Sequence, residues 1–228
     1  MLDRAKLRAV VFDLDGTLID SYDAITASVN HVRGLRGLPP LRRAEVCGHV
    51  GRGAEHLLRA TVPGGILAED VLRYKQHHPS VMRSLTHLLP GVQSTLTALK
   101  DVGFDLAVCS NKPVAFSRDL LASLGIGSLF SAVVGPEDAP RPKPAPDMLL
   151  KAMELLARRP DETLYVGDMV VDIDTARGAG VTVWVVPTGS DARSTLQQAS
   201  PDRLLNAFAE LAALAQGAPS VPFSHDTA

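Results

Sequence analysis

Two aspartates spaced two residues apart are the part of this sequence best suited to chemistry. The stretch Val10 to Thr17 reads Val-Val-Phe-Asp-Leu-Asp-Gly-Thr, so an apolar run ends in Asp13 and Asp15. In an extended chain residues i and i+2 point to the same side, which places both carboxylates together. Such a pair repels unless a cation lies between the carboxylates or one of them is protonated. The alternative, a turn or helix-capping pair, accounts for one aspartate after a strand better than for two.

Two further groups that suit phosphate binding lie next to predicted strands or helices. Ser110 and Asn111 come after an apolar run, and their hydroxyl and amide groups can donate hydrogen bonds to phosphate oxygens. Lys143 stands between Pro142 and Pro144 ahead of a predicted helix, so it loses little backbone freedom when it binds an anion. Taken singly, the first pair also fits a turn with a helix cap, and the lysine also fits a solvated loop.

A third carboxylate is expected to join the first two. Asp168 follows the apolar run from Thr163 to Val166, and Asp172 and Asp174 come shortly after it. Carboxylate oxygens are hard ligands that suit Mg²⁺, which completes its octahedron with water and phosphate oxygens. A helix N-cap is the other role open to these aspartates, and it fits Asp172 or Asp174 better than Asp168.

The elements that position these groups alternate between strand and helix. Apolar runs predict strands, of which the first, Ala9 to Phe12, is continuous and therefore buried on both faces. The predicted strands cover residues 9–12, 104–109, 132–134, 163–166 and 181–186. The predicted helices of this part cover residues 92–101, 114–124, 146–158, 173–178 and about 201–214. This alternation predicts an α/β fold, a Rossmann-like doubly wound parallel sheet, with ligands bound at the carboxyl ends of its strands.

The segment after the first strand contains predicted helices without a convincing strand. Those helices cover residues 21–36, 54–61 and 68–85, with Lys75 and the pair His77-His78 on a solvated face. We therefore predict a discontinuous core of residues 1–20 and 88–215, an α-helical cap of residues 21–87 and a disordered tail of residues 216–228. A cap inserted directly after the first strand is well placed to close over Asp13 and Asp15.

Composition narrows the class of protein and of partner. The 228 residues carry a formal charge of −2, which leaves no basic excess for nucleic acid. The two cysteines, Cys47 and Cys109, form neither a disulfide framework nor a metal motif. No apolar run approaches the length of a membrane span, and the first residues lack the apolar region of a secretion signal. We expect a cytoplasmic protein whose partner is a small molecule rather than nucleic acid or a membrane; the oligomeric state stays open.

These motifs, in this order, resemble the haloacid dehalogenase-like hydrolase superfamily. The resemblance covers about residues 8–190 and rests on Asp13 to Thr17, Ser110-Asn111, Lys143, and Gly167-Asp168 with Asp172. It implies a Rossmann-like core, Mg²⁺ and hydrolysis of a phosphate monoester of a small metabolite.

The resemblance also implies a role for each matching residue. Asp13 would be the nucleophile that becomes an aspartyl phosphate, and Asp15 would protonate the leaving oxygen and then activate water. Ser110 and Lys143 would hold the phosphoryl group. The metal would be held by Asp13, the backbone carbonyl of Asp15 and Asp168. Asp172 would act on these ligands without binding the metal itself.

The substrate should be selected by the cap. The run Gly48-His-Val-Gly-Arg-Gly53 is similar to the cap loop of phosphoglycolate phosphatases, as is Ser110 to Pro113. Phosphoglycolate carries a carboxylate, with which Arg52 is expected to pair. A flexible connection between two cap helices is the other interpretation of this run. A sugar-phosphate phosphatase, a phosphomutase resembling β-phosphoglucomutase, and a non-catalytic protein that binds a phosphorylated metabolite are the remaining alternatives.

Overall fold

The computed structural model describes residues 5–217. Its strands are, in chain order, β1 (Ala9–Phe12), β2 (Ile19–Asp20), β3 (His87–Leu88), β4 (Asp105–Cys109), β5 (Ala132–Val134), β6 (Thr163–Gly167), β7 (Thr182–Val185) and β8 (Arg203–Leu204). Six of them form a sheet in the order β5-β4-β1-β6-β7-β8, and each neighbouring pair is parallel. The predicted α/β fold with a parallel sheet is confirmed.

Strand β1 lies in the middle of this sheet and is buried on both faces. Val10 and Phe12 face one apolar core, whereas Ala9 and Val11 face the other. Strand β1 pairs with β4 on one side and with β6 on the other. The chain continues first to one side of β1, through β4 and β5, and later to its other side, through β6 and β7. This change of direction opens a crevice beyond the carboxyl ends of the strands, where ligands bind in open α/β sheets.

The helices are arranged on both faces of the sheet and in a separate layer above its carboxyl edge. They are α1 (Tyr22–Leu35), α2 (Arg43–Cys47), α3 (Ala54–Thr61), α4 (Leu67–Val81), α5 (Val92–Asp101), α6 (Val114–Ser123), α7 (Asp147–Leu156), α8 (Val170–Ala179) and α9 (Arg193–Gln198). Short 3₁₀ turns occupy Gly127–Leu129 and Pro160–Glu162.

Helices α1 to α4 lie between β2 and β3 and share an apolar cluster of their own. The cluster includes Val29, Val32, Leu58 and Tyr74. Strands β2 and β3 pair antiparallel, so the two connections to the rest of the chain run side by side. We call residues 21–87 the cap, and both of its predicted boundaries lie at this strand pair.

The C-terminal region differs from its prediction. In place of a helix over residues 201–214 the structure has strand β8 and a 3₁₀ helix, Phe208–Gly217. Phe208, Leu211 and Leu214 are buried against the core that contains α5. Their spacing of three residues matches the period of a 3₁₀ helix, which places all three on one face. Apart from residues 216 and 217, the predicted tail lies outside the described residues.

Candidate active site

The turn after β1 brings its two aspartates to a cavity between the cap and the core. Asp13 is buried and Asp15 half-buried, and both line this cavity, whereas Leu14 points into the core. Gly16 follows with a φ of 86°, and a Cβ there would lie 2.6 Å from Asp168 Oδ2. Only glycine fits so tight a turn without strain. The cavity has a volume of about 50 Å³.

Three carboxylates meet beneath this cavity. Asp13, Asp168 and Asp172 each contribute an oxygen, and these oxygens all lie within 4.8 Å of one another. Asp168 stands at the end of β6, where its Oδ1 accepts a hydrogen bond of 2.8 Å from Thr17 Oγ1. Asp172 lies in the first turn of α8, and its Oδ2 accepts the backbone N–H groups of Asp168 and Met169 at 3.1 and 3.0 Å. All three carboxylates are buried, and Asp168 and Asp172 are held in place by these hydrogen bonds.

Lys143 is the cation of this cluster. Its Nζ lies 2.8 Å from Asp13 Oδ1 and 2.7 Å from Asp172 Oδ1, and it donates to Tyr165 Oη at 3.1 Å. Burial alone would lower the pKa of Lys143, but the two carboxylates outweigh it and hold that pKa above its usual value. The lysine is therefore a fixed positive charge beside Asp13.

The charges of the cluster do not balance without a further cation. Burial raises the pKa of Asp13 to about 6 against the opposing effect of Lys143. Burial, followed by the charges of Asp172 and Asp13, raises the pKa of Asp168 well above its ordinary value. Three carboxylates (−3) and one ammonium (+1) leave a charge of −2 when all are ionised. A divalent cation with hard oxygen ligands cancels this charge, so the residues present fit Mg²⁺.

Ser110 and Asn111 follow β4, and both line the cavity. Ser110 is buried and lines the cavity. Asn111 Nδ2 donates to the backbone carbonyls of Gly51 at 3.0 Å and Lys143 at 3.1 Å, and its Oδ1 accepts from Lys143 N at 3.0 Å. Both side-chain amide hydrogens are thus used within the protein, and a role for Asn111 in phosphate binding stays a prediction. Asn111 instead joins the cap to the loop that carries Lys143.

The structure places Arg52 outside the lining of the cavity. Its side chain is exposed, and the cavity wall is formed on either side of it by Gly51 and Gly53. The backbone of Gly51 packs directly against Met169 Sδ and has a φ of 99°, so the loop touches the core with its backbone. The expected pairing of Arg52 with a substrate carboxylate stays a prediction.

The sequence analysis did not identify Lys112 as a site residue. Its side chain is buried, and its Nζ lies 3.1 Å from Asp15 Oδ2. The other oxygen of Asp15 accepts a hydrogen bond from Ser21 Oγ. The available signal was the position of Lys112, two residues beyond Ser110 at a strand end.

His78 was expected on a solvated face of a helix, and this was wrong. It is fully buried, its ring stacks on Tyr74 with centroids 5.2 Å apart, and it lines the cavity. The buried residues of α4 are Asp70, Tyr74 and His78. Their spacing of four residues forms one helix face, but two of the three are polar, so hydrophobicity did not mark that face.

Comparison with known proteins gives consistent matches. The family model described as haloacid dehalogenase-like hydrolase matches residues 10–186. A phosphoglycolate phosphatase of Pseudomonas putida is 34% identical over 207 residues, which cover 87% of this chain and 76% of the relative. One from Cereibacter sphaeroides is 38% identical over 179 residues, covering 75% and 81%.

Solved structures agree with the sequence relatives. A crystal structure described as a predicted phosphoglycolate phosphatase from Haemophilus somnus superposes with a TM-score of 0.82 at 28% identity, covering 90% of this chain and 96% of that one.

Within residues 5–217 no helix combines the length and the apolar composition needed to cross a bilayer.

Proposed function

Because this chain belongs to the haloacid dehalogenase-like hydrolase family and is a phosphoric monoester hydrolase, we propose that its substrate is 2-phosphoglycolate. We further propose that the reaction depends on Mg²⁺ and passes through an aspartyl phosphate on Asp13. The names of the relatives in Pseudomonas putida and Cereibacter sphaeroides support the choice of ester. The small volume of the cavity, about 50 Å³, supports a small leaving group.

In the first proposed step Asp13 attacks phosphorus and the bond from phosphorus to the ester oxygen breaks. Asp15, which lines the same cavity, gives its proton to the departing oxygen. Asp13 is suited to attack because its pKa of about 6 leaves it mostly ionised at neutral pH, and because Lys143 lies 2.8 Å from it. The products of this step are the alcohol and a phosphorylated Asp13.

In the second step water attacks the same phosphorus atom. Asp15 takes a proton from this water, the bond from phosphorus to Asp13 breaks, and inorganic phosphate leaves. Dividing a very slow hydrolysis into two displacements lowers the barrier that each step must cross. Asp15 returns to its protonated form at the end of the cycle.

The charge on the phosphoryl oxygens is met by fixed groups. Ser110 donates its hydroxyl, and Lys143 supplies an ammonium that Asp172 holds in place at 2.7 Å. Asp13, Asp168 and the backbone carbonyl of Asp15 are the groups that would hold Mg²⁺. When bound, Mg²⁺ adds positive charge at the phosphoryl oxygens.

The observation that carries this proposal is the convergence of Asp13, Asp168 and Lys143 at the end of β1, beside a cavity between the cap and the core. We would test it with a panel of phosphorylated metabolites, measuring phosphate release with Mg²⁺ and with EDTA. Phosphate release that needs Mg²⁺ and is fastest with phosphoglycolate is expected.

The panel also distinguishes the alternatives. Release that EDTA leaves unchanged would contradict the metal, and a different best ester would contradict the substrate. A product that keeps its phosphate would indicate a phosphomutase, and binding of esters without turnover would indicate a non-catalytic protein. The Asp13→Asn variant, which removes the nucleophile while keeping the shape of the side chain, is the matched control and should release no phosphate.

A further inference from the structure

One wall of the cavity carries polar groups that the proposed phosphoryl chemistry does not use. Lys112 and His78 both line it, the first from the core and the second from the cap. Both side chains are buried, with exposed fractions of 8% and 0%. Lys112 pairs with Asp15, but Nε2 of His78 has no hydrogen-bond partner among the described residues, and a buried polar group without a partner calls for a ligand.

Lys112 lies at the end of the cavity that the leaving group must occupy. Its Nζ is 3.1 Å from Asp15 Oδ2, and Asp15 is the group proposed to protonate the departing oxygen. Whatever is attached to that oxygen therefore lies within reach of Lys112. Among the described residues that line the cavity, Lys112 is the sole lysine or arginine. A buried ammonium in this place fits an anionic group on the alcohol.

His78 has an unused ring nitrogen on the cap side of the cavity. Its Nδ1 lies 3.0 Å from Ser28 Oγ, while Nε2 is buried and has no hydrogen-bond partner among the described residues. Ser28 Oγ is also 3.0 Å from the carbonyl oxygen of Ala24. Rotation of the hydroxyl hydrogen from that carbonyl to Nδ1 leaves the ring proton on Nε2, which can then donate.

The imidazole can act in this way without becoming charged. Burial, followed by the positive charge of Lys112, lowers the pKa of His78 to about 3. The ring also packs against Phe116, with centroids 5.5 Å apart. It is a neutral donor held by stacking on Tyr74 and by packing against Phe116.

We propose that Lys112 and His78 form a carboxylate-binding subsite that selects esters whose leaving group carries an acid. The inference rests on the proposed phosphatase function. Lys112 forms the ion pair and His78 Nε2–H adds a hydrogen bond from the cap. Closure of the cap thereby completes the subsite, and the exposed Arg52 has no part in it.

The test compares phosphoglycolate with ethyl phosphate, an ester of similar size that lacks the carboxylate. The measured quantity is the ratio of kcat/KM for the two esters. The unmodified enzyme should prefer phosphoglycolate by at least about tenfold, and Lys112→Met should lower the ratio by about 30-fold, as expected for a lost hydrogen bond to a charged group. The ratio cancels any effect that Lys112 has on both esters through Asp15.

The cap side is tested with two variants of His78. His78→Phe keeps the stacking but loses the donor, and should lower the ratio by about fivefold, the effect of a neutral hydrogen bond. His78→Gln, whose amide can donate, should restore part of it. Lys75→Met is the matched control, since it removes an exposed lysine of the same helix and should leave the ratio unchanged.

Three results would overturn the inference: no preference for phosphoglycolate in the unmodified enzyme, an unchanged ratio in Lys112→Met, or a loss that appears in Arg52→Met instead. If neither ester is hydrolysed, the proposed function fails, and calorimetric binding of the two esters decides about the subsite. A loss of affinity in Lys112→Met that is confined to phosphoglycolate supports it. Equal affinities of the unmodified protein and of Lys112→Met for phosphoglycolate would contradict it.

Discussion

The burial of His78 predicts a specific loss of stability in acid. The perturbation is the replacement His78→Phe, which keeps an aromatic ring between Tyr74 and Phe116 but cannot take up a proton. In the folded protein burial lowers the pKa of His78 from its ordinary value of 6.5 to about 3. The groups that face the ring are Ser28, His77 and Lys112, of which only the last carries a permanent charge.

The sign of the effect follows from proton binding. Below pH 6.5 the unfolded chain takes up a proton at His78, whereas the folded chain does not take it up until about pH 3. The free energy of unfolding therefore falls as the pH is lowered over that interval. At about pH 4.5, two units below the ordinary value, this difference amounts to about 2.7 kcal/mol. The stabilisation is complete above pH 6.5 and is lost progressively below it.

The assay is urea unfolding of the unmodified protein and of His78→Phe at a series of pH values from about 7.5 to about 4.5. The free energy of unfolding should fall by about 2.7 kcal/mol more in the unmodified protein than in the variant. Contributions of Asp13 and Asp168 occur in both proteins and cancel in the difference. Replacement of the exposed His87 by Gln should give a curve parallel to that of the unmodified protein. Parallel curves for His78→Phe would refute the reasoning.

Two further variants test the cluster and the contact between cap and core. Lys143→Met leaves buried carboxylates without their cation, so we expect kcat/KM to fall by on the order of a thousandfold and metal-free stability to fall by about 3 kcal/mol. Steady-state kinetics and urea unfolding measure the two quantities. The comparison variant Lys151→Met, at a half-buried lysine far from the cluster in sequence and paired with Glu154, should leave both unaffected. Gly51→Ala places a methyl group against Met169 Sδ, so KM should rise about tenfold, equivalent to about 1.4 kcal/mol. Adding Met169→Ala should recover part of that loss, and no recovery would contradict the steric cause.

The sheet and the carboxylate cluster were predictable because each depends on short-range patterns. The unbroken apolar run from Ala9 to Phe12 indicates a strand buried on both faces, and the structure has it so, at the centre of the sheet. Parallel strands end at the same edge of a sheet, so the proximity of Asp13 and Asp168 could be predicted without knowing the rest of the fold. Helix starts were less accurate, as α8 begins at Val170 because Asp172 accepts the N–H group of Met169.

The cap side of the site was not predictable because it depends on contacts between segments far apart in the chain. The packing of Gly51 on Met169 brings the cap loop against the core with its backbone, and no local pattern encodes that contact. The burial of His78 depends on Phe116 and on the cap core around Tyr74. Lys112 was overlooked because a lysine in a turn is usually solvated, whereas here it is paired with Asp15.

The central claim is that Asp13 is phosphorylated during turnover, and chemical trapping tests it most directly. Asp15→Asn enzyme with acetyl phosphate and Mg²⁺ should accumulate the intermediate, because acetate leaves without a proton while the second step lacks its base. Borohydride reduces an acyl phosphate to an alcohol, so peptide mapping should find homoserine at position 13. Turnover of the unmodified enzyme without homoserine at position 13 in either protein would contradict the account.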